Sequence, residues 1–216
     1  MNIVERIDLE IEKRSLLKHP FYRMWSDGKL TVDHLQGYSK EYFQLVKAVP
    51  DMVETIASSC DSSTSSLVAD SAAEEIEHVV LWERFAKSLG VENSELVHHD
   101  GATKTKYAVD SLQELSRLPF EQAAAALYAY EADLPKISRS KIDGLKKFYD
   151  LSSEDATKYF EVHEEADVRH ARLWRDILLA APSDQHDSII DSAMKSLAAQ
   201  NILLDSVLEK YVRVSC

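Results

Sequence analysis

Apolar residues recur at helical spacing along most of the chain, and this pattern predicts helices throughout. In the first segment Ile3, Val4, Ile7 and Ile11 lie on one face of a helix. Short connections between such segments favour an all-α fold of seven or eight helices, and we predict one domain over residues 1–216. The predicted helices cover residues 2–17, 31–58, 66–89, 104–117, 120–149, 154–180 and 184–213.

Residues that start or stop helices refine these limits. Thr31 is a candidate cap for the helix over 31–58, and Pro50 should kink or divide it. Gly90 is suited to end the helix over 66–89, and Pro135 to bend the one over 120–149. Three segments without helical spacing are predicted to be connectors, namely residues 19–30, 61–66 and 91–103.

Composition and charge exclude several classes of function. Five glycines and five prolines in 216 residues are few for a sheet-rich chain. A net charge of -12 opposes binding to nucleic acid, whose phosphates need clustered Lys and Arg. The chain has no long apolar run and its N-terminus does not resemble a signal peptide, so we expect no membrane segment. Cys60 and Cys216 form no disulfide framework, which favours the cytoplasm.

Two helices carry the same chemical pattern. Glu75, His78 and Trp82 repeat as Asp167, His170 and Trp174, each time as carboxylate-x-x-His-x-x-Leu-Trp. A carboxylate and a histidine three residues apart share one helix face and can reach the same metal ion. This spacing is typical of the carboxylate–histidine pairs of di-iron helical bundles.

Two further residues extend the pattern. His163 precedes Asp167 by one helical turn, so the second copy presents two imidazoles and a carboxylate, as iron(II) sites do. Glu131 ends the apolar run that begins at Ala123, where an unpaired carboxylate would be costly to bury. Glu131 could bridge two ions. We therefore predict a site for two metal ions, iron or an iron–manganese pair, with the ligands Glu75, His78, Glu131, His163, Asp167 and His170. The alternative is a structural network of buried Glu–His ion pairs.

Four segments carry a family resemblance, which spans nearly the whole chain. They are HPFYRMWSDGKLT, YSKEYF, LYAYEADLPKISRSKIDGL and HEEADVRHA. In these segments the chain resembles the CADD family (chlamydial protein associating with death domains) of haem-oxygenase-like di-metal oxidases. Pyrroloquinoline-quinone synthase and the thiaminase-like TenA proteins are more distant relatives. The resemblance implies a compact seven-helix haem-oxygenase-like bundle with metal ligands at the same six positions.

The resemblance also implies a reaction. CADD-like proteins are associated with forming para-aminobenzoate, a folate precursor, by oxygen activation that consumes a tyrosine and a lysine of the protein itself. O2 and an external reductant are then co-substrates. The matching candidates in this chain are Tyr22, Tyr130 and Lys141, with Tyr42 as a further aromatic residue near the site.

Some alternatives remain open at the level of sequence. The family interval between the first glutamate and histidine is compressed in this chain, so Glu74 competes with Glu75 as a ligand. Two other functions stay possible: a di-iron oxygenase acting on an external small molecule, and a non-enzymatic helical protein that binds a protein partner. We expect small molecules and O2 as partners, and the apolar faces of the terminal helices are compatible with a homodimer.

Overall fold

Helices joined by short turns make up nearly all of the structure, a computed structural model that describes residues 1–60 and 62–212 but not the side chains of residues 62 and 63. The residues in this range are 83% helical and form no strand, so the all-α prediction is confirmed. The helices are α1 (Ile3–Arg14), α2 (Pro20–Ser26), α3 (Val32–Val46), α4 (Val49–Ala57), α5 (Ser62–Ser88), α6 (Asn93–Val97), α7 (Thr103–Ser116), α8 (Phe120–Glu131), α9 (Leu134–Phe148), α10 (Glu154–Leu179) and α11 (His186–Val207).

Most predicted helix ends agree with the structure. Thr31 caps α3 by accepting a hydrogen bond from the backbone N–H of His34. The predicted break at Pro50 divides α3 from α4. At Pro135 the predicted bend is a full break, because α8 ends at Glu131 and α9 begins at Leu134. Gly90 follows the end of α5 with a φ of 85°, a left-handed conformation that glycine adopts without strain.

Three predicted connectors contain helix. Residues 19–30 include α2, because the His19 imidazole caps its first turn and Pro20 occupies a position where a proline needs no N–H partner. The polar loop predicted for residues 61–66 is wrong from Ser62 onward, where α5 begins, and Asp61 lies outside the described residues. Residues 91–103 hold the short helix α6.

Helix α8 lies in the middle of the fold. All of its residues from Ala123 to Glu131 are buried, and it packs against α7, α10 and α11. The four alanines that begin this run, Ala123–Ala126, allow these neighbours to approach closely. The packing holds the carboxylate of Glu131 inside the bundle, opposite α10.

A second close contact joins α2 to α9. A Cβ atom at Gly144 would lie 2.6 Å from Cδ1 of Trp25, so glycine is required where the two helices meet. The indole N–H of Trp25 donates to the backbone carbonyl of Lys141 at 3.2 Å. Trp25 and Gly144 therefore fix the helix that carries Tyr22 against the helix that carries Lys141.

A buried carboxylate on α3 holds residues 210 and 211 against the bundle. Glu41 is fully buried, and every donor around it lies within 3.1 Å. The donors are His99, the backbone N–H of Ala102, Thr105, Lys210 and Tyr211. Burial raises the pKa of Glu41, but the hydrogen bonds from Lys210, Thr105 and Ala102 outweigh it and bring the pKa to about 2.

Replacing Glu41 by alanine is expected to lower the free energy of unfolding by on the order of 3 kcal/mol, because buried donors lose their acceptor. The folded-state pKa lies below the ordinary value of 4.5, so the carboxylate stabilises the fold above about pH 4.5 and loses this effect as the pH falls towards 2. Urea unfolding at pH 7 and pH 3, with exposed Glu95→Ala as control, measures both effects. An equal difference at the two pH values would contradict this account.

No helix in the described ranges is long and apolar enough to cross a membrane.

Candidate metal centre

All six predicted ligand residues lie inside the bundle. Each side chain is at least nine-tenths buried, which is unusual for carboxylates and imidazoles. Helix α5 supplies two of them, the C-terminal end of α8 one, and α10 the remaining three: Glu75 and His78, then Glu131, then His163, Asp167 and His170.

The ligand atoms form two groups that share one residue. Glu75, His78 and His163 make one group, and Glu75, Asp167 and His170 the other, with candidate ligand atoms within 4.8 Å of one another in each. The imidazole rings of His78 and His163 lie 4.3 Å apart between centroids. Glu75 therefore occupies the position between the groups, and this placement favours Glu75 over Glu74 as the inner carboxylate.

Glu131 lies outside both groups, beside them. Its carboxylate accepts a hydrogen bond from the indole N–H of Trp174 at 2.6 Å. Trp174, the last residue of the repeated sequence pattern, thus makes a polar contact with a candidate ligand. Glu75 is the residue common to both groups, and Glu131 belongs to neither, so a bridging role for Glu131 stays a prediction.

Several polar atoms at this centre have no hydrogen-bond partner. They are both carboxylate oxygens of Asp167, both ring nitrogens of His170 and Nδ1 of His78. The Nδ1 atom of His78 lies 3.1 Å from Oε2 of Glu75, close enough for an ion pair but not aligned as a hydrogen bond. Buried polar atoms without partners are rare and costly, and metal ligation would satisfy all of these except one nitrogen of His170. Oxygen and imidazole donors without a thiolate suit iron or manganese, so the residues fit the predicted metals.

The carboxylates at the centre repel one another. Burial, and then the charge of Glu75, raise the pKa of Glu131 well above its ordinary value. Burial and the charge of Glu131 do the same for Asp167. Burial also raises the pKa of Glu75, but His78 and His163 outweigh it and leave this pKa low. A bound cation would relieve the repulsion between the carboxylates, so this cluster is suited to bind a metal ion.

The orientation of His163 is fixed by the backbone. Its Nδ1 lies 2.6 Å from the carbonyl oxygen of Tyr159, one turn earlier on α10. Because a carbonyl only accepts, Nδ1 carries the proton and Nε2 is left with its lone pair. Burial lowers the pKa of His163 to about 4, so the ring is neutral at physiological pH and suited to bind a metal.

A lysine is buried among aromatic rings next to this centre. The Nζ atom of Lys141 lies 4.7 Å from the ring centre of Tyr22 and 5.2 Å from that of Tyr42. The ring of Phe160, one turn before His163 on α10, is 5.1 Å away. Burial lowers the pKa of Lys141 well below its ordinary value, which favours the neutral amine.

Tyr38 completes this cluster, and our sequence reasoning missed it. Its hydroxyl accepts a hydrogen bond from Nζ of Lys141 at 2.6 Å and lies 3.1 Å from the hydroxyl of Tyr22. The signal was present in YSKEYF, because Tyr38 and Tyr42 are four residues apart and share one face of α3.

Tyr42 and Tyr130 lie closer to the carboxylates. Burial raises the pKa of Tyr42 to about 12, the hydroxyl of Tyr130 offsets part of this, and the charges of Asp167 and Glu75 raise the pKa further. Burial and the phenol of Tyr42 raise the pKa of Tyr130. The four residues predicted to react or assist, Tyr22, Tyr42, Tyr130 and Lys141, thus all lie in one buried region beside the candidate ligands.

Comparison with known protein families shows which family the chain belongs to. Residues 36–201 match the model of a family described as iron-containing redox enzymes. The chain belongs to this family. The 4-aminobenzoate synthase of Chlamydia trachomatis serovar D is similar to it, with 34% identity over 222 residues that cover 100% of this chain and 96% of the relative. The protein of the same name from Nitrosomonas europaea is 31% identical, covering 96% and 91%.

Solved structures confirm the fold. A domain with a haem-oxygenase-like fold from Shewanella denitrificans gives a TM-score of 0.81 at 19% identity, covering 96% of this chain and 90% of the other. A TenA homologue from Pseudomonas syringae pv. tomato gives 0.83 at 13% identity, covering 96% and 93%. The haem-oxygenase-like prediction and the family resemblance made from sequence are therefore confirmed.

Proposed function

We propose that this iron-containing redox enzyme is a di-metal oxidase that forms 4-aminobenzoate (para-aminobenzoate) for folate synthesis. Two metal ions, both iron or one iron and one manganese, would be held by the six buried ligand residues. O2 and an external reductant would be co-substrates. In the version we favour, the ring of Tyr22 supplies the carbon skeleton and Lys141 supplies the nitrogen.

The contact between Lys141 and the two tyrosines carries this proposal. A lysine fully enclosed by aromatic rings has no role in packing that an apolar residue would not fill better, and burying it is costly. Its amine lies against the ring of Tyr22 and is hydrogen-bonded to Tyr38. The names of relatives that are 31% to 34% identical over nearly the whole chain point to an aromatic amine as product.

The side chains around the amine have separable tasks. Burial lowers the pKa of Lys141, which favours the neutral amine and the lone pair on its nitrogen. Tyr38 fixes the amine and forms, with Tyr22, a pair of hydroxyls that can hold or pass a proton. The rings of Tyr22, Tyr38, Tyr42 and Phe160 exclude water from the amine. Bound iron would supply the one-electron redox chemistry that side chains lack.

Isotope labelling tests the origin of the product. Protein grown on 13C-tyrosine and 15N-lysine is purified, loaded with Fe(II) with or without Mn(II), and given O2 and reductant. We expect 4-aminobenzoate that carries both labels, at no more than one per chain, with a mass loss in the peptide containing Tyr22. Unlabelled product formed over many turnovers would instead show an oxygenase acting on an external small molecule. Absence of any aromatic amine would contradict the proposal.

Replacing Tyr38 by phenylalanine is expected to lower the yield of 4-aminobenzoate at a fixed early time about tenfold, because losing one hydrogen bond worth about 1.4 kcal/mol slows the reaction by that factor. The metal content should stay at the wild-type level, because Tyr38 contacts no candidate ligand. Tyr107→Phe is the matched control, since that side chain is 62% exposed. A Tyr38→Phe protein with unchanged yield would remove Tyr38 from the reaction.

A further inference from the structure

Two adjacent glutamates of α5 reach the same histidine from different sides. Glu75 is buried within the ligand set, whereas the side chain of Glu74 is 37% exposed at its edge. Both carboxylates face His170. The sequence left open which glutamate is the ligand, and the structure gives each of them a separate position.

The two nitrogens of the His170 ring point in different directions. Nδ1 lies 3.8 Å from a carboxylate oxygen of Glu75 and 3.8 Å from one of Asp167, on the side of the candidate metal group. Nε2 lies 3.3 Å from Oε2 of Glu74, on the side of the surface. This contact has the distance of an ion pair, although the N–H is not aligned as a hydrogen bond.

Glu74 is itself held in place. Arg169, the residue before His170, donates to both of its carboxylate oxygens, at 3.1 Å and 3.0 Å. A two-pronged contact of this kind restricts the carboxylate more than a single hydrogen bond does. The oxygen that Arg169 contacts at 3.0 Å is the one that faces Nε2 of His170.

We propose that Glu74 is a positioning residue for the metal centre. Its carboxylate accepts a hydrogen bond from the Nε2–H of His170, so that the lone pair of Nδ1 faces the metal. A histidine ligand generally donates its second N–H to a carboxylate or carbonyl, which fixes the tautomer and makes the ring a better ligand. His163 follows the same rule with the carbonyl of Tyr159 as acceptor. Arg169 keeps the carboxylate of Glu74 in place for this task. The inference rests on the metal centre of the proposed function but not on the identity of the product.

Titration of the apo protein with Co(II), followed by visible absorption, tests the role. Glu74→Ala is expected to weaken the binding of one ion by about 10- to 100-fold while saturating Co(II) still gives the wild-type stoichiometry. Glu74→Gln should restore part of the affinity, because its amide oxygen can still accept a hydrogen bond from the Nε2–H of His170. Glu77→Ala is the control, an exposed glutamate on the same helix. In the zinc-loaded protein, the NMR signal of the His170 Nε2–H should be protected in wild type and lost in Glu74→Ala.

Other outcomes would overturn the role. Loss of one Co(II) ion per chain in both Glu74→Ala and Glu74→Gln would make Glu74 a direct ligand. If Glu74→Ala keeps wild-type affinity and an unchanged Nε2–H signal, then Glu74 only pairs with Arg169 at the surface and has no role in positioning His170. A wild-type chain that binds no Co(II) would overturn the metal centre and this role together, whereas a metal-binding chain without 4-aminobenzoate would overturn only the product.

Discussion

Replacing Lys141 by methionine is expected to reduce 4-aminobenzoate formation to background while metal binding stays at the wild-type level. Methionine has a similar length and removes the cost of burying an amine, so the protein should fold at least as stably. What is lost is the nitrogen next to Tyr22, because the amine lies 4.7 Å from that ring. Product by mass spectrometry and metal per chain by elemental analysis are the two readouts.

Lys146→Met is the matched control for this prediction. Lys146 lies on the same helix α9 but is exposed to solvent, so its loss should leave the yield unchanged. Product formed at the wild-type rate by Lys141→Met would show that the nitrogen has another source. The di-metal centre could then still act with an external amine, and Lys141 would be ruled out as the nitrogen source.

Replacing Asp167 by asparagine is expected to remove at least one metal ion per chain and, at the same time, to stabilise the metal-free protein. The buried carboxylates of Asp167 and Glu131 repel each other, and both oxygens of Asp167 lack hydrogen-bond partners. Because burial and the charge of Glu131 disfavour the ionised form of Asp167, a neutral amide should raise the free energy of unfolding of the apo protein by about 1 kcal/mol, or the melting temperature by roughly 2–4 °C.

Thermal melting with and without Fe(II) checks both parts of this prediction. Wild type should gain stability on adding metal and Asp167→Asn much less, because a ligand that binds only the folded state stabilises it. Asp176→Asn, an exposed position on α10, should behave like wild type. If Asp167→Asn destabilises the apo protein instead, the alternative of a structural Glu–His network would gain support.

The candidate ligands could be predicted from the sequence because they are polar residues at positions where a helix normally carries apolar ones. A charged residue at the end of an apolar helix, such as Glu131, is easily recognised. The repeated carboxylate–histidine spacing indicated that two helices contribute ligands to the same site. Helix periodicity does not say which neighbouring glutamate points inward, however. Glu74 and Glu75 differ by about 100° around α5, and only the packing of α5 against α10 assigns them to different positions.

The remaining errors have physical causes too. Residues 19–30 contain α2, but its apolar residues are mostly aromatic and clustered, so they gave no clear period. Tyr38 was missed because a buried tyrosine in a helix is usually a packing residue. Its importance depends on Lys141, which is 103 positions away in the chain, and contacts at such separation follow from tertiary packing alone.

The most direct test of the metal centre is anomalous X-ray scattering from crystals of protein loaded with iron and manganese. We expect two ions per chain, bound between α5, α8 and α10, with the carboxylate of Glu75 next to both. Absence of bound metal after reconstitution, or ions held only at surface carboxylates, would contradict this expectation.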